Sequence, residues 1–235
     1  MENFGSKSRS RRERMVRKQI APACTADPRV LQAFSRVPRE LFLPPDLRRW
    51  LAYVPLPLPI GHGQTISQPA IVARMFELAG LGPHARVLDV GAGSGYQTAL
   101  LSQLCEHVCG IEIVPELAAR AERALRLAGI RNASIHVRNA FDGLPEFAPY
   151  DAILVAAATP EVPSALLEQL KDGGRLIIPI GPRLSQRDML LRALLRRRSP
   201  QRLVRFVRNG GEFTRTELDR VYFVPLVPGL ASGQG

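Results

Sequence analysis

Acidic residues, cysteines and long apolar runs are all scarce in this sequence of 235 residues. The three cysteines are an odd and sparse set, which supplies no disulfide framework and favours a reducing compartment. No apolar run approaches the roughly 18 residues that a membrane-spanning helix requires, and the N-terminal segment lacks the apolar stretch of a secretory signal. We therefore expect a cytoplasmic protein that does not associate with a membrane.

The excess of basic over acidic residues is concentrated in two segments. The formal net charge is +11. Residues 1–20 hold seven Lys or Arg against two Glu, a net +5, and residues 183–208 hold nine Arg against one Asp, a net +8. Basic segments can bind nucleic acid, but each of these segments holds only one aromatic residue, Phe4 or Phe206, and so has no interleaved series that could stack on successive bases. We predict solvated surface segments without a nucleic-acid partner, with polyanion binding as the open alternative.

One cysteine cluster has residue types that can bind zinc. Cys105, His107 and Cys109 lie close together, but Cys109 falls within a predicted strand and no second pair of ligands accompanies them. The sequence therefore predicts no metal site.

The most informative stretch runs from Arg86 to Glu112. Val87–Val90 is a short β-branched run typical of a buried parallel strand, and an apolar helical pattern and a second strand, Val108–Ile111, follow it. The turn after the first strand is rich in glycine, which lets a backbone approach a ligand closely. Glu112 ends the second strand, where a carboxylate can accept hydrogen bonds from a ribose. The candidate cofactor-binding residues here are Gly91, Ala92, Gly93, Ser94, Gly95 and Glu112.

The glycine spacing distinguishes between classes of nucleotide site. The dinucleotide fingerprint requires Gly-x-Gly-x-x-Gly, and Tyr96 stands at its last position. The run Asp89-Val90-Gly91-Ala92-Gly93-Ser94-Gly95 resembles instead motif I of the class I methyltransferases, which implies S-adenosyl-L-methionine as cofactor. A generic Rossmann-like turn or a structural glycine cluster is the alternative.

Strands and helices alternate along the middle of the chain, which predicts a parallel sheet covered on both faces. The fold class that we expect is α/β: a doubly wound, Rossmann-like sheet, mostly parallel, with antiparallel C-terminal strands and an N-terminal helical layer. Beyond the two strands above, the predicted strands are Ala133–Val137, Tyr150–Ala156, Arg175–Ile180, Leu190–Leu195, Leu203–Val207 and Val221–Val224.

A chain of this length fits a single α/β domain with additions. We expect residues 1–9 to be a disordered basic tail and residues 10–235 to form one domain. Within it, residues 10–68 would form the N-terminal helical cap and substrate loop, 69–182 the cofactor-binding core and 183–235 the C-terminal strands.

The loop that leads to Pro69 carries several hydrogen-bonding side chains. It follows the stiff segment Pro55–Pro59 and ends at Ser67, before a predicted helix. Ser67 or Gln68 could simply cap that helix. Alternatively, hydroxyls and free N–H groups at this position could bind a carboxylate.

Several segments together resemble the protein-L-isoaspartate(D-aspartate) O-methyltransferase family. They are Met15–Ile20, Val37–Phe42, Leu58–Gly61, Gly63–Pro69, the motif I run, Ala148–Ile153, Gly210–Phe213 and Phe223–Leu226. The resemblance implies an enzyme that esterifies L-isoaspartyl and D-aspartyl residues of damaged proteins and peptides, and so initiates their repair. We expect this enzyme to be a monomer. The resemblance also implies that Ser67 is the active-site serine, with Gln64, Thr65 and Ile66 beside it in substrate binding, and that Gly91, Gly93 and Glu112 contact the cofactor.

The sequence departs from that family at two places. Arg138-Asn139-Ala140 stands where the family has Gly-Asp-Gly, so Asn139 and Ala140 are expected to contact the adenine through a neutral acceptor and backbone. Val54-Pro55 stands where the family tends to have an Asp. These departures leave open a carboxyl methyltransferase dedicated to one peptide, and the +8 segment leaves open a non-catalytic binding protein for S-adenosyl-L-methionine or RNA.

The motifs of base-modifying methyltransferases are absent. Enzymes that methylate amino groups of adenine or glutamine usually carry Asn/Asp-Pro-Pro-Tyr where Ala157–Pro160 stands here. Cytosine C5 enzymes require a Pro-Cys turn, and none of the three cysteines follows a proline.

Overall fold

A seven-stranded sheet with helices on both faces forms the centre of the protein. The structure, a computed structural model, describes residues 2–23, 27–48, 51–185, 188 and 199–229. The strands are β1 (Leu58–Gly61), β2 (Gln64–Ile66), β3 (Arg86–Val90), β4 (His107–Glu112), β5 (Ala133–Val137), β6 (Tyr150–Val155), β7 (Leu170–Ile180), β8 (Gln201–Asn209) and β9 (Glu212–Val221).

The order of strands in the large sheet is β5-β4-β3-β6-β7-β8-β9. The first five are parallel to one another, whereas β8 pairs antiparallel with β7 and with β9. The chain leaves β3 towards one edge and returns to its other side with β6, which creates a crevice at the carboxyl ends of these strands. The predicted doubly wound fold with antiparallel C-terminal strands is confirmed.

Seven helices accompany the strands in the described part of the chain, with three shorter turns between them. Asp27 caps α2 by accepting a hydrogen bond from the Arg29 N–H at 2.9 Å, and Gly80 ends α4 with φ of 58°. The helices are α1 (Glu2–Met15), α2 (Pro28–Arg36), α3 (Pro45–Arg48), α4 (Pro69–Ala79), α5 (Tyr96–Leu101), α6 (Pro115–Leu127) and α7 (Ser164–Glu168). The turns are a π-helical turn at Val16–Ile20 and 3-10 turns at Arg39–Phe42 and Pro145–Phe147. Of the described helices, none has the length and apolar character needed to cross a membrane.

Alternation along the central strands divides the core into two halves. In β3, Val87 packs with α4, α5 and α6 on one face, while Leu88 and Val90 pack on the other face with Leu166 of α7. The N-terminal helical layer joins the first half through residues such as Phe34. Because both faces are covered, β3 and β6 are buried almost throughout, as their continuous apolar sequences predicted.

A helix, α1, spans Glu2–Met15, and the sequence assigned the first nine residues of this segment to a disordered basic tail. That assignment stays a prediction. Met15 and Ile20 are buried in the first half of the core and anchor the end of this segment. Extending an anchored helix adds one hydrogen bond per residue without a new nucleation step, so the polar residues before it continue the same helix.

The C-terminal strands differ from the prediction in extent. The predicted strand Leu203–Val207 lies within β8, whereas Leu190–Leu195 lies outside the described residues. The prediction of a strand at Val221–Val224 was wrong, because β9 ends at Val221. β9 is an exposed edge strand rich in charged residues, so apolar alternation could not indicate it. The subdivision of residues 10–235 into three parts stays a prediction.

Candidate active site

A cleft opens at the carboxyl ends of the parallel strands. Its position is the crevice where ligands bind in open α/β sheets. The lining residues are Gln64, Thr65, Gly91, Gly93, Ile111, Glu112, Ile113, Arg138, Ala140, Ala156, Ala157, Val224, Pro225, Leu226 and Val227. Most are apolar or glycine, and Glu112 and Arg138 are the only charged residues among them.

The glycine loop after β3 forms the floor of the cleft. Gly91, Gly93 and Gly95 have φ values of 79°, 54° and 82°, a region that side chains with a Cβ rarely adopt. The N–H groups of Gly91 and Ala92 both donate to the Ile111 carbonyl at 2.9 Å, which ties the loop to the end of β4. Gly91 and Gly93 therefore line the cleft with bare backbone, and their assignment to cofactor binding stays a prediction.

Two other predicted loop residues face away from the cleft. A Cβ on Gly95 would lie 2.9 Å from the Cβ of Ala121 in α6, so this glycine allows close packing between the loop and the helix. Ser94 lines a separate groove with α6 residues, and its Oγ accepts a hydrogen bond from the Tyr96 N–H at 3.4 Å. Neither residue lines the cleft.

Glu112 is buried at the end of β4, and its carboxylate is held by three backbone N–H groups. Oε2 accepts from Gly93 at 2.8 Å, and Oε1 accepts from Ile113 at 2.9 Å and from Val114 at 3.0 Å. A carboxylate can accept about four hydrogen bonds, so Oε2 keeps acceptor capacity beside the cleft. This arrangement suits a ligand with neighbouring hydroxyl groups.

Asp89 supports the glycine loop from below. It is fully buried and accepts hydrogen bonds from Gln97 Nε2 at 2.7 Å and from Thr98 Oγ1 at 2.6 Å. Burial raises its pKa to about 6, against the lowering effect of these two donors. Asp89 thus joins β3 to the first turn of α5 without lining the cleft.

The segment that leads to Pro69 forms a hairpin rather than the loop that the sequence suggested. β1 and β2 pair antiparallel across His62 and Gly63, both with positive φ, as in the two-residue turns that suit hairpins. Gln64 and Thr65 of β2 line the cleft. The Gly61-His62-Gly63 sequence was the signal for this turn.

The two predicted residues that follow Thr65 occupy other positions. The Ile66 side chain is buried in the first half of the core. Ser67 is half-buried between β2 and α4 and is not among the residues that line the cleft, and its carbonyl accepts a hydrogen bond from Arg39 Nη1 at 3.0 Å. The hairpin therefore places Thr65 directly at the cleft and Ser67 two residues further along the chain.

Ala140 and Arg138 line the cleft, whereas Asn139 is not among the lining residues. Oδ1 of Asn139 accepts a hydrogen bond from the Phe141 N–H at 3.2 Å, which shapes the turn after β5. Arg138 forms an ion pair with Glu146. Because a carbonyl oxygen has two lone pairs, Asn139 can still accept one further hydrogen bond.

A C-terminal segment, Val224–Val227, closes one side of the cleft. The Ala158 N–H donates to the Val224 carbonyl at 2.8 Å, and the Leu226 N–H donates to the Ala158 carbonyl at 2.7 Å. These bonds hold the segment beside the end of β6. Sequence reasoning did not assign these residues to the site, although Phe223–Leu226 was one of the segments that carried the family resemblance.

No group of three or more potential metal ligands occurs in the part of the chain that the structure describes. Cys105 and Cys109 are buried free thiols, and burial raises the pKa of Cys105 to about 12. Cys24 lies outside the described residues.

The cleft itself combines a glycine floor, a buried carboxylate acceptor and apolar walls, and this combination fits a nucleoside cofactor.

The chain is similar to one family of methyltransferases over nearly its whole length. The model of the family "Protein-L-isoaspartate(D-aspartate) O-methyltransferase (PCMT)" matches residues 10–231. A protein-L-isoaspartate O-methyltransferase of Methanoculleus marisnigri is 45% identical over 219 residues, which cover 93% of this chain and 92% of the relative. The corresponding enzyme of Myxococcus xanthus is 54% identical over 164 residues, covering 70% of this chain and 77% of the relative.

Solved structures have the same fold. One protein-L-isoaspartate O-methyltransferase superposes with a TM-score of 0.74 at 28% identity, covering 92% of this chain and 65% of that longer chain. A Plasmodium falciparum structure, described as a protein-L-isoaspartate O-methyltransferase in complex with S-adenosyl-L-homocysteine, has a TM-score of 0.74 at 24% identity. It covers 92% of this chain and 97% of that chain, and at this identity the likeness concerns the fold.

Proposed function

The chain belongs to the protein-L-isoaspartate(D-aspartate) O-methyltransferase family, and we propose that it transfers a methyl group from S-adenosyl-L-methionine to the free carboxylate of L-isoaspartyl residues in damaged proteins, which initiates their repair. D-aspartyl residues are the second substrate that the family name implies. The observation that carries the proposal is the joint placement of the glycine loop, Glu112 and Thr65 on one cleft.

The charges around the cleft fit a nucleophile that arrives already ionised. In the part of the chain that the structure describes, Glu112 and Arg138 are the only charged residues that line it. Glu112 accepts from three backbone N–H groups and, in our proposal, also from the ribose. An amino group would need a base to remove its proton, whereas a carboxylate is ionised at neutral pH. The cleft therefore suits carboxyl methylation.

The cofactor would be held by groups that the structure places around the cleft. Gly91 and Gly93 would face the methionyl part, Oε2 of Glu112 would accept from the ribose hydroxyls, and Ala140 with Asn139 would contact the adenine. S-adenosyl-L-methionine supplies a methyl group on a sulfonium, which a carboxylate oxygen takes by in-line displacement to give a methyl ester and S-adenosyl-L-homocysteine.

The substrate carboxylate would be oriented by the end of the β1–β2 hairpin. Thr65 lines the cleft and Ser67 follows two residues later, so we assign both hydroxyls as donors to a carboxylate oxygen. Neutral donors align the nucleophile without binding the ground state so tightly that transfer slows. Alignment of this kind can contribute about 7–11 kcal/mol in favourable cases.

Methylation of an isoaspartyl peptide by wild type and by Ser67→Ala tests these roles. Loss of one hydrogen bond to a charged group costs about 1.5–3 kcal/mol, so we expect kcat/KM to fall roughly 10- to 100-fold. Affinity for S-adenosyl-L-homocysteine should stay within about twofold of wild type, because Ser67 does not line the cofactor cleft. Ser35→Ala, at an exposed serine of α2, is the matched control. Unchanged kcat/KM in Ser67→Ala would remove Ser67 from the site.

The setting of the enzyme is part of the proposal. We infer a monomer in the cytoplasm that binds neither membrane nor nucleic acid. Each basic segment holds a single aromatic residue, Phe4 or Phe206, and Phe206 is buried, which supports the absence of a stacking surface for bases. Light scattering during size-exclusion chromatography tests the monomer. Retention on RNA that weakens with salt would contradict the nucleic-acid part.

A further inference from the structure

Two arginine side chains hold the β1–β2 hairpin at its two ends through backbone carbonyls. Nη1 of Arg120, in α6, donates to the Ile60 carbonyl at 2.8 Å, and Nη1 of Arg39 donates to the Ser67 carbonyl at 3.0 Å. Ile60 lies in β1 and Ser67 directly follows β2, so the two bonds stand on either side of the hairpin residues that line the cleft.

Arg39 is a fully buried cation with incomplete hydrogen bonding. Its Nε and Nη2 atoms have no hydrogen-bond partner in the described part of the chain, and burial lowers its pKa to about 10, so it stays charged at neutral pH. Its guanidinium carbon lies 5.1 Å from the ring centroid of Tyr96, which begins α5 after the glycine loop. Burying such a group is costly, and Arg39 links the hairpin to the loop that forms the cofactor floor.

Arg120 joins the hairpin to the same loop from the other side. It extends from α6 to Ile60, and Cδ1 of Ile60 lies 3.1 Å from the position that a Cβ on Gly93 would occupy. The bond to Arg120 therefore keeps Ile60 packed over Gly93. Any loosening at this end would move β1 away from the glycine loop.

We propose that Arg39 and Arg120 are positioning residues for methyl transfer, which fix both ends of the hairpin so that Thr65 stays at the cleft and Ser67 stays next to it. The proposal rests on the function proposed above. Neither arginine lines the cleft: Arg39 is buried beneath the hairpin, and Arg120 lines the neighbouring groove. Both would act through the hairpin, and small displacements of aligned groups can cost about 100-fold in rate.

The test compares methionine and lysine at each position. Arg39→Met and Arg120→Met should lower kcat/KM for an isoaspartyl peptide roughly 10- to 100-fold and speed the hydrogen exchange of amides in residues 58–68. Arg39→Lys and Arg120→Lys keep a charged donor and should recover a large part of the loss. If the arginines only stabilised the fold, the methionine variants would have lower melting temperatures, but lysine would not restore kcat/KM and the amides of residues 58–68 would not exchange faster.

Two controls separate positioning from the general loss of an arginine. Arg123→Met removes an exposed arginine from α6 and from the same groove. Arg175→Met removes an arginine that donates to the Ala79 carbonyl at 2.8 Å, at the end of α4. Both should keep wild-type kcat/KM once the folded fraction is taken into account.

The outcomes separate this inference from the proposed function. Wild-type exchange in residues 58–68, or wild-type kcat/KM in both methionine variants, would overturn it while leaving the function intact. If the wild-type enzyme methylated no isoaspartyl peptide, the function would fail, and exchange of the hairpin amides would still decide whether the arginines fix it. If Arg39→Met did not fold, kcat/KM and hydrogen exchange in Arg39→Lys and Arg120→Met would decide the test.

Discussion

Replacement of Glu112 by glutamine tests the cofactor site at its only buried charged residue. In wild type, one carboxylate oxygen accepts from Ile113 and Val114, and the other accepts from Gly93 at 2.8 Å. A glutamine can keep its oxygen towards the first pair, which places its NH₂ group against the Gly93 N–H. The change therefore removes one charge-assisted hydrogen bond and turns an acceptor that faces the cleft into a donor.

The size of the effect follows from these contacts. A hydrogen bond to a charged group contributes about 1.5–3 kcal/mol, and about 1.4 kcal/mol corresponds to a tenfold change in affinity. We expect Glu112→Gln to bind S-adenosyl-L-homocysteine roughly 10- to 100-fold more weakly than wild type in isothermal titration calorimetry. Glu116→Gln, at an exposed residue of the first turn of α6, should bind like wild type.

One affinity measurement would contradict the role of Glu112 in the cofactor site. An affinity for S-adenosyl-L-homocysteine within twofold of wild type in Glu112→Gln would show that no ligand hydroxyl depends on this carboxylate. The cleft would then not be the nucleoside site that we describe. A melting curve for each variant excludes loss of folded protein as the cause of weaker binding.

Three further predictions concern stability and the adenine end of the cleft. Gly95→Ala should lower the free energy of unfolding by roughly 2–5 kcal/mol in denaturant titrations, because the new Cβ would have a positive φ and would lie 2.9 Å from the Cβ of Ala121. Gly129→Ala also has a positive φ but meets open space, so it should cost only about 1–2 kcal/mol, and equal losses in the two variants would contradict the packing role of Gly95. Because burial raises the pKa of Asp89 to about 6, the free energy of unfolding of wild type should fall by up to about 3 kcal/mol relative to that of Asp89→Asn as the pH rises from about 4 to 6. A difference in unfolding free energy between the two proteins that does not vary with pH would refute this. Asn139→Asp should bind S-adenosyl-L-homocysteine up to roughly tenfold more tightly in calorimetry, since an ionised acceptor forms the stronger hydrogen bond; an unchanged affinity would place the adenine elsewhere.

The central sheet and the cofactor loop could be predicted because local sequence determines them. The continuous apolar run at Val87–Val90 is typical of a strand covered on both faces of a parallel sheet, and the glycines after it let the backbone approach a ligand closely. The candidate role of Glu112 could be predicted from its position at the end of the second strand and its spacing from the glycine turn. The family resemblance then added the hairpin residues Gln64 and Thr65, which line the cleft as expected.

The residues that were missed depend on contacts between distant parts of the chain. Val224–Val227 reaches the cleft because Ala158 exchanges hydrogen bonds with it, and no local pattern records a pairing across more than 60 residues. Sequence reasoning gave Arg39 no role, yet the structure buries it and places its Nη1 3.0 Å from the Ser67 carbonyl. Gly95 and Ser94 belong to the motif by sequence, but packing against α6 turns them away from the ligand.

The most direct test of the account uses two peptides of identical sequence that differ at one residue, L-isoaspartyl in one and L-aspartyl in the other. Wild-type protein is given S-adenosyl-L-methionine with a labelled methyl group, and the base-labile label on each peptide is measured. The account predicts label on the isoaspartyl peptide and little on the aspartyl peptide. Equal labelling of both, or no labelling by folded protein that binds S-adenosyl-L-homocysteine, would contradict it.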